Sequence, residues 1–277
     1  MIQSTFRKKI TVVMIVIAAI LIFYPIIMMM NISLKTQADY IMNPYSIPEV
    51  FQWSNYKTAI EAMNYWRALF NSVYITGISA IMCTFLCATA SYGIARALKG
   101  KKLFGLLFSF FWFGIALPQQ VAMVPLVLWM KRLGLSGNLF GVALVYVAAN
   151  AAFGVFFFTG FVKTVPIALE EAARIDGASQ FTVFRKIVLP LLKTPMVTLM
   201  IIMVLRVYNN FLYPLILLQG KNSRTLPLTV YFFKGDNVVE WNIMFAATTL
   251  VVLPLLIFYF VLQRQIIDGM TSGSVKM

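Results

Sequence analysis

No histidine stands anywhere in the 277 residues, and only nine are aspartate or glutamate. The first absence removes the commonest general base and the commonest metal ligand. The nine acids all fall outside the middles of the long apolar runs, so a membrane carboxylate pair for acid–base chemistry is missing, as is an intramembrane acid for ion coupling. Cysteine is nearly absent too. Cys83 and Cys87 lie four residues apart in one apolar run, which places them on one helix face and out of disulfide geometry. They read as small apolar packing residues. No GxxxxGK[ST] phosphate loop occurs, so any nucleotide must be bound by another chain.

What the chain has in abundance is apolar surface. Hydrophobic residues make up 61% and charged ones 12%, with a mean hydropathy of +0.84. Soluble domains hold roughly 45–50% and 25%, so the bilayer is the solvent. A helix rises about 1.5 Å per residue and needs roughly 20 apolar residues to cross the hydrocarbon. Six such stretches are present: Thr11–Met30, Leu69–Ala95, Leu103–Val127, Leu139–Val162, Pro195–Leu217 and Ile243–Leu262. They are continuous rather than alternating, which argues against a β-barrel. The first is too long for a signal-peptide core, and it ends in the bulky Ile26-Ile27-Met28-Met29-Met30 with no small-residue cleavage site after it, so it reads as a retained span. The expectation is an all-α integral membrane protein, a single transmembrane domain of six helices over residues 1–277.

Charge orients the spans. With the amino terminus inside, the inner segments hold 14 Lys and Arg and the outer ones eight, Arg206 lying within a span. Short loops rich in Lys and Arg stay cytoplasmic, which predicts both termini inside. The same bias accounts for most of the net charge of +14, so nucleic acid is not an expected partner.

Between the first two runs lies an outer segment, 31–68, made irregular at first by Pro44 and Pro48. Ser54 is placed to cap a helix through Tyr56, Ile60, Met63 and Phe70 that leads into the second span, with Trp53 and Trp66 at headgroup level. Pro118-Gln119-Gln120 and Pro125 interrupt the third run. That break reads either as a cavity wall or as the outer end of the span.

The most informative stretch is the cytoplasmic segment 163–193. It carries Glu170, Glu171 and Asp176 and so reads as water-facing. Pro166 suits the first helical position and the two glutamates the first turns, where the helix dipole favours negative charge. Gly177 supplies a left-handed stop. Ser179 caps a second helix through Phe181, Phe184 and Ile187, ending near Pro190. The product is a compact knob.

Within the knob, Glu171-Ala172-Ala173, then Gly177, then Ile187, Leu189 and Pro190 resemble the signature loop of ABC importer permeases, E-A-A, three residues, G, nine residues, I-x-L-P. Arg174-Ile175-Asp176-Gly177-Ala178-Ser179 resembles the version found in maltose-type carbohydrate importers. Asn209-Asn210-Phe211-Leu212-Tyr213-Pro214 is similar to their fifth-span motif, W-N-D/E-F-L-x-P, though Tyr208, Asn210 and Arg206 depart from its usual residues. The tail Gly269 to Lys276 looks like G-L-T-x-G-A-V-K and, with six spans, points to the subunit type of the smaller maltose permease.

The resemblance implies a non-enzymatic transport subunit in a bacterial cell membrane. Its partners are a second permease subunit, an ATPase dimer that holds ATP and Mg, and an extracytoplasmic sugar-binding protein. It also implies a coupling helix between spans four and five, with Glu171, Ala172, Ala173, Asp176, Gly177, Ile187, Leu189 and Pro190 as ATPase-coupling residues. No catalytic or metal site and no cofactor in this chain are expected.

Polar residues inside spans are costly and often functional. Arg206, Asn209, Asn210 and Tyr213 recur at helical spacing in the fifth run, which predicts one face that either lines a substrate pathway or packs against neighbouring helices. Asn71 and Asn150 are further candidates of the same kind. The alternative functions are a secondary transporter and a channel subunit. The first wants repeats and intramembrane acids, the second a selectivity filter, and the chain shows none of these.

Overall fold

The computed structural model describes residues 2–97, 102–233 and 240–272, and no β-strand occurs among them. The inner-loop residues Lys99 and Lys101, the loop residue Lys234, and the tail residues 273–276 fall outside that range.

The first helix, α1 (Ile2–Ser33), runs through Pro25 without a break. Two short helices follow, α2 (Gln37–Met42) and α3 (Ser54–Met63). The second long helix is α4 (Tyr65–Ala97). The third apolar run divides into α5 (Lys102–Ala116), a 3-10 turn at Gln119–Ala122, and α6 (Met123–Arg132). Next come α7 (Leu139–Thr164), α8 (Ile167–Ile175), α9 (Gln180–Val183) and, after a π turn, α10 (Leu189–Leu191). The chain closes with α11 (Lys193–Asn209), α12 (Leu212–Leu217), α13 (Leu226–Tyr231) and α14 (Trp241–Ser272).

Among the described residues, four helices (α1, α4, α7 and α14) are long and apolar enough to cross a membrane, and two bent pairs raise the number to six if each counts as one span. The first bent pair is the third predicted run. It is broken where the sequence places the first interruption: Pro118 adopts an extended conformation and the two arms meet at 99°. Proline disfavours helical geometry in the residue before it, so Leu117 lies outside α5, which stops at Ala116. Pro125 lies in the first turn of α6, where a missing N–H costs no helical bond. The second pair, 72° apart, joins residues 180–191 to α11, and α11 stops at Asn209 well short of the predicted Leu217.

The chain forms two compact units. One comprises Met1–Trp66 with Thr229–Ile257, the other Arg67–Leu228 with Phe258–Met277. In the first, the apolar side chains of α1 from Ile10 onward are largely exposed. The segment after it is organised by polar groups. Lys35, fully buried, donates to the Asn43 carbonyl and, at 2.9 Å, to Ser46 Oγ. Asn55 donates to the carbonyls of Ser33 and Lys35 at 2.9 and 2.8 Å, and Asn242 donates to Asn55 Oδ1 at 3.1 Å. Ser54 is the first residue of α3 rather than its cap, and Trp53 precedes it with no side-chain capping bond. Asn64, at φ +49, ends α3, so the interface helix does not run on into α4 unbroken.

In the second unit the core lies between α4, α7 and α11. Ala80, Cys83, Cys87 and Ala88 of α4 pack with Val155 and Phe158 of α7 and Leu199 and Met203 of α11. Lipid tails are as apolar as leucine, so helices in a bilayer associate through close packing, and small residues permit it. Both cysteines are free and buried, in the packing role their spacing suggests.

Candidate functional site

The knob is built by a sequence of stops and starts. Asn138 opens α7 by accepting from the Phe140 amide at 2.8 Å, and the Val165-Pro166 step closes it, with Val165 pushed to an extended conformation. Pro166 is the N-cap of α8 rather than its first residue, one position from the sequence expectation. Gly177 takes φ +83, donates to the Arg174 carbonyl at 3.0 Å, and is followed by Ala178 donating to Ala173 at 2.9 Å. This pair of bonds is a Schellman stop, which satisfies the last carbonyls of α8. Ser179 then caps α9 by accepting from the Thr182 amide at 3.3 Å. The second arm ends at Leu191, one residue past Pro190 and so near where the sequence places its end. Through the π turn at Phe184–Val188 the Leu189 amide reaches back to the Phe184 carbonyl, and Pro190 sits in the first turn of α10. Proline's missing donor is thus absorbed by a change of helical pitch.

Of the residues singled out in sequence, Glu171, Ala172, Asp176, Gly177 and Pro190 are exposed. Ala173 and Ile187 are half-buried against a cluster of Tyr92, Val162, Val183 and Val188, and Leu189 is half-buried as well. The exposed large apolar side chains of the knob include Ile175 at 86% exposure and Phe181 at 69%. An acidic group flanked by unburied apolar surface is a protein-docking chemistry.

Glu170 departs from the water-facing expectation: it is 1% exposed. Its Oε1 receives Arg96 Nε at 2.6 Å and pairs with Arg96 Nη2 at 2.5 Å, while Tyr92 donates to Oε2 at 3.0 Å. Tyr92 also lies against Phe184, ring centroids 5.0 Å apart. Sequence reasoning missed this cluster. The available cue was an arginine in the last turn of the second span, but nothing local pairs it with a glutamate 74 residues on.

The fifth-span residues are not on one continuous helix face. The chain leaves helical geometry at Asn210, so Arg206 and Asn209 lie on α11 while Tyr213 belongs to α12. Arg206 is exposed, its guanidinium 4.2 Å from the centre of the Phe153 ring. Asn209 is exposed and donates to the Leu205 carbonyl at 2.9 Å. Asn210 Oδ1 accepts from the amides of Leu212 and Tyr213 at 3.0 and 3.3 Å, and from Tyr146 Oη at 3.2 Å. Its side chain therefore starts α12. Tyr213 is buried edge-on to Tyr146, centroids 5.2 Å apart, and reaches the wall of a cleft of about 600 Å3. Phe110, Gln119, Trp129 and Ala148 share that wall, so of the two glutamines at the proline break one lines a cavity. Asn71 and Asn150 are both buried. Asn71 donates to the carbonyls of Asn222 and Arg224, each at 2.9 Å, and Asn150 to the Tyr146 carbonyl at 2.8 Å.

Residues 80–272 match the family model described as "binding-protein-dependent transport system inner membrane component". The chain is 30% identical to the probable starch degradation products transport system permease protein AmyC of Thermoanaerobacterium thermosulfurigenes, covering 94% of each chain. It is 33% identical to the multiple sugar-binding transport system permease protein MsmG of Streptococcus mutans, covering 95% of each. Its fold is similar to a chain of a bacterial ABC transporter that imports the acidic polysaccharide alginate, with TM-score 0.78 at 22% identity over 95% of this chain and 97% of that one.

Proposed function

Because the chain belongs to the binding-protein-dependent transport system inner membrane components, we propose that it forms half of the pathway by which a sugar or oligosaccharide enters a bacterial cell. A second permease subunit supplies the other half. An extracytoplasmic binding protein delivers the cargo, and a separate ATPase pair binds ATP and Mg. Both termini and the knob face the cytoplasm, in keeping with the Lys and Arg bias. The chain itself hydrolyses nothing.

The observation that carries the reading is the knob. A helix whose exposed side carries Glu171, Ile175 and Asp176 has chemistry suited to a groove on another protein. Ala172 keeps that side low, so a docking helix enters closely, and Gly177 sets the angle to the next helix. On the membrane side, the cleft walled by Phe110, Gln119, Trp129 and Tyr213 suits a sugar ring, whose apolar face stacks on aromatics while an amide and a phenol serve its hydroxyls. Arg206 and Asn209, exposed on α11, are the further candidates for substrate contact.

The assembled complex in vesicles tests this. Uptake should stop when the partner ATPase is inactivated at its nucleotide site. Uptake that persists, or that follows an imposed ion gradient, overturns the reading. The cargo is identified by titrating the cognate binding protein with maltotriose and raffinose, because affinity there selects what is carried.

A further inference from the structure

Three donors of α4 converge on one carboxylate of α8. Arg96 supplies Nε and Nη2 to Glu170 Oε1, and Tyr92 supplies its hydroxyl to Oε2. Arg96 Nη2 also donates to the Val165 carbonyl at 3.0 Å. Arg174, one turn along α8, stands 3.8 Å from Glu170 on the exposed side. The pair is largely out of water, with 2% of the Glu170 side chain and 13% of the Arg96 side chain exposed. Removing one partner of a buried ion pair is far more damaging than removing both, because a desolvated charge is left behind. Such pairs serve best as devices that fix one arrangement of two elements.

The chain's own connection to α8 breaks the helix. It passes from α7 through Val165, in extended conformation, and Pro166, also outside helical geometry. A push received by α8 would be absorbed at that joint unless another contact carried it. Arg96 braces the joint, since it holds both the Val165 carbonyl within it and the Glu170 carboxylate after it.

We infer that Arg96 and Glu170 are a positioning pair that locks the knob to the second span, so that α8 and α4 move as one lever when the ATPase closes. The inference rests on the reading of the knob as the ATPase contact. Coupling between sites needs a stiff element that both bias, and the pair makes α8 and α4 that element.

The test uses the full complex with Cys83→Ala and Cys87→Ala. Spin labels are placed at Ile175→Cys on the knob and Phe85→Cys on the exposed side of α4. The label-to-label distance should be narrow and unchanged between the nucleotide-free and ATP–vanadate states. In Glu170→Gln and Arg96→Gln it should broaden and shift by several ångström with nucleotide, while ATP hydrolysis persists. The exchange Arg96→Glu with Glu170→Arg should restore a narrow distribution. A distance that already shifts in the unsubstituted pair, or that is indifferent to Glu170→Gln, overturns the inference. So does failure of all three variants to assemble, which assigns the pair to folding. Crosslinking of Ile175→Cys to the ATPase is scored separately. Its absence overturns the docking reading and the lever with it, whereas a crosslink combined with an indifferent distance overturns the lever alone.

Discussion

Gly154 of α7 meets Cys87 of α4 so closely that a Cβ on the glycine would stand 2.6 Å from the cysteine Sγ and 3.0 Å from its Cβ. Both are inside contact distance, and the cysteine is buried. Gly154→Ala should therefore force α4 and α7 apart, at a cost of about 1–3 kcal/mol for overpacking. Cys87→Ala removes the nearer atom and leaves the farther one, so the double variant should recover part of that loss, a non-additivity expected of residues in contact. Thermal unfolding of the purified protein in detergent measures it. Equal loss in the single and double variants would show that the contact is not what the glycine serves.

Gly177 is required for a different reason. A side chain there would meet nothing within 4 Å, yet φ is +83. Conformation alone decides its substitution, and an L-residue in the left-handed region costs about 1–2 kcal/mol. Gly177→Ala should loosen the stop between α8 and α9, and Gly177→Asn should do so less, since asparagine tolerates that region. On the docking reading, co-purification of the ATPase should rank glycine, then asparagine, then alanine. A ranking by side-chain size instead would point to crowding.

The neighbouring asparagines of the fifth span should part company. Asn210 serves the backbone of α12 and accepts from Tyr146, so Asn210→Ala should destabilise by about 1 kcal/mol, the usual cost of losing a cap. Asn210→Asp should retain most of the stability, because its carboxylate still accepts. Asn209 is exposed, and its bond to Leu205 lies within its own helix. Asn209→Ala should leave unfolding unchanged. Lost uptake in Asn209→Ala at unchanged stability would then report a pathway contact, and normal uptake would remove that residue from the pathway.

The contrast between those two residues shows what the sequence made legible. The long apolar runs, the small-residue role of Cys83 and Cys87, the Gly177 stop and the Ser179 cap all depend on near neighbours, and each was readable from spacing. The break at Asn210 had a local cue in Pro214, which denies the Asn210 carbonyl its helical partner. Periodicity masked it, because Arg206, Asn209, Asn210 and Tyr213 recur as they would on one face. The Arg96–Glu170 pair and the Asn71 contacts join residues more than 70 positions apart, and no local propensity encodes such a meeting. Lys35 shows the same in miniature: lysine is rarely buried, and only the folded segment shows the acceptors that let this one be buried.

Asn71 offers the cleanest test of such a long-range contact. Its amide nitrogen donates to the carbonyls of Asn222 and Arg224, and the next residue, Ser72, accepts from the Leu226 amide at 2.8 Å. Together they staple residues 222–226 to the start of α4. The stapled stretch contains Arg224, and Lys221 lies just before it, so trypsin reads how often the loop opens. Cleavage of a transiently opened segment follows its open population when reclosing is fast. Losing buried hydrogen bonds of this kind costs about 1–3 kcal/mol, so Asn71→Ala should speed nicking after Lys221 and Arg224 roughly tenfold or more. Asn71→Asp, which keeps the shape but turns a donor into an acceptor facing two carbonyls, should be no better than alanine. Ser72→Ala removes a single acceptor and should have a smaller effect. Nicking at the wild-type rate in both Asn71 variants would mean that the loop is held by its other contacts and that Asn71 is incidental to it.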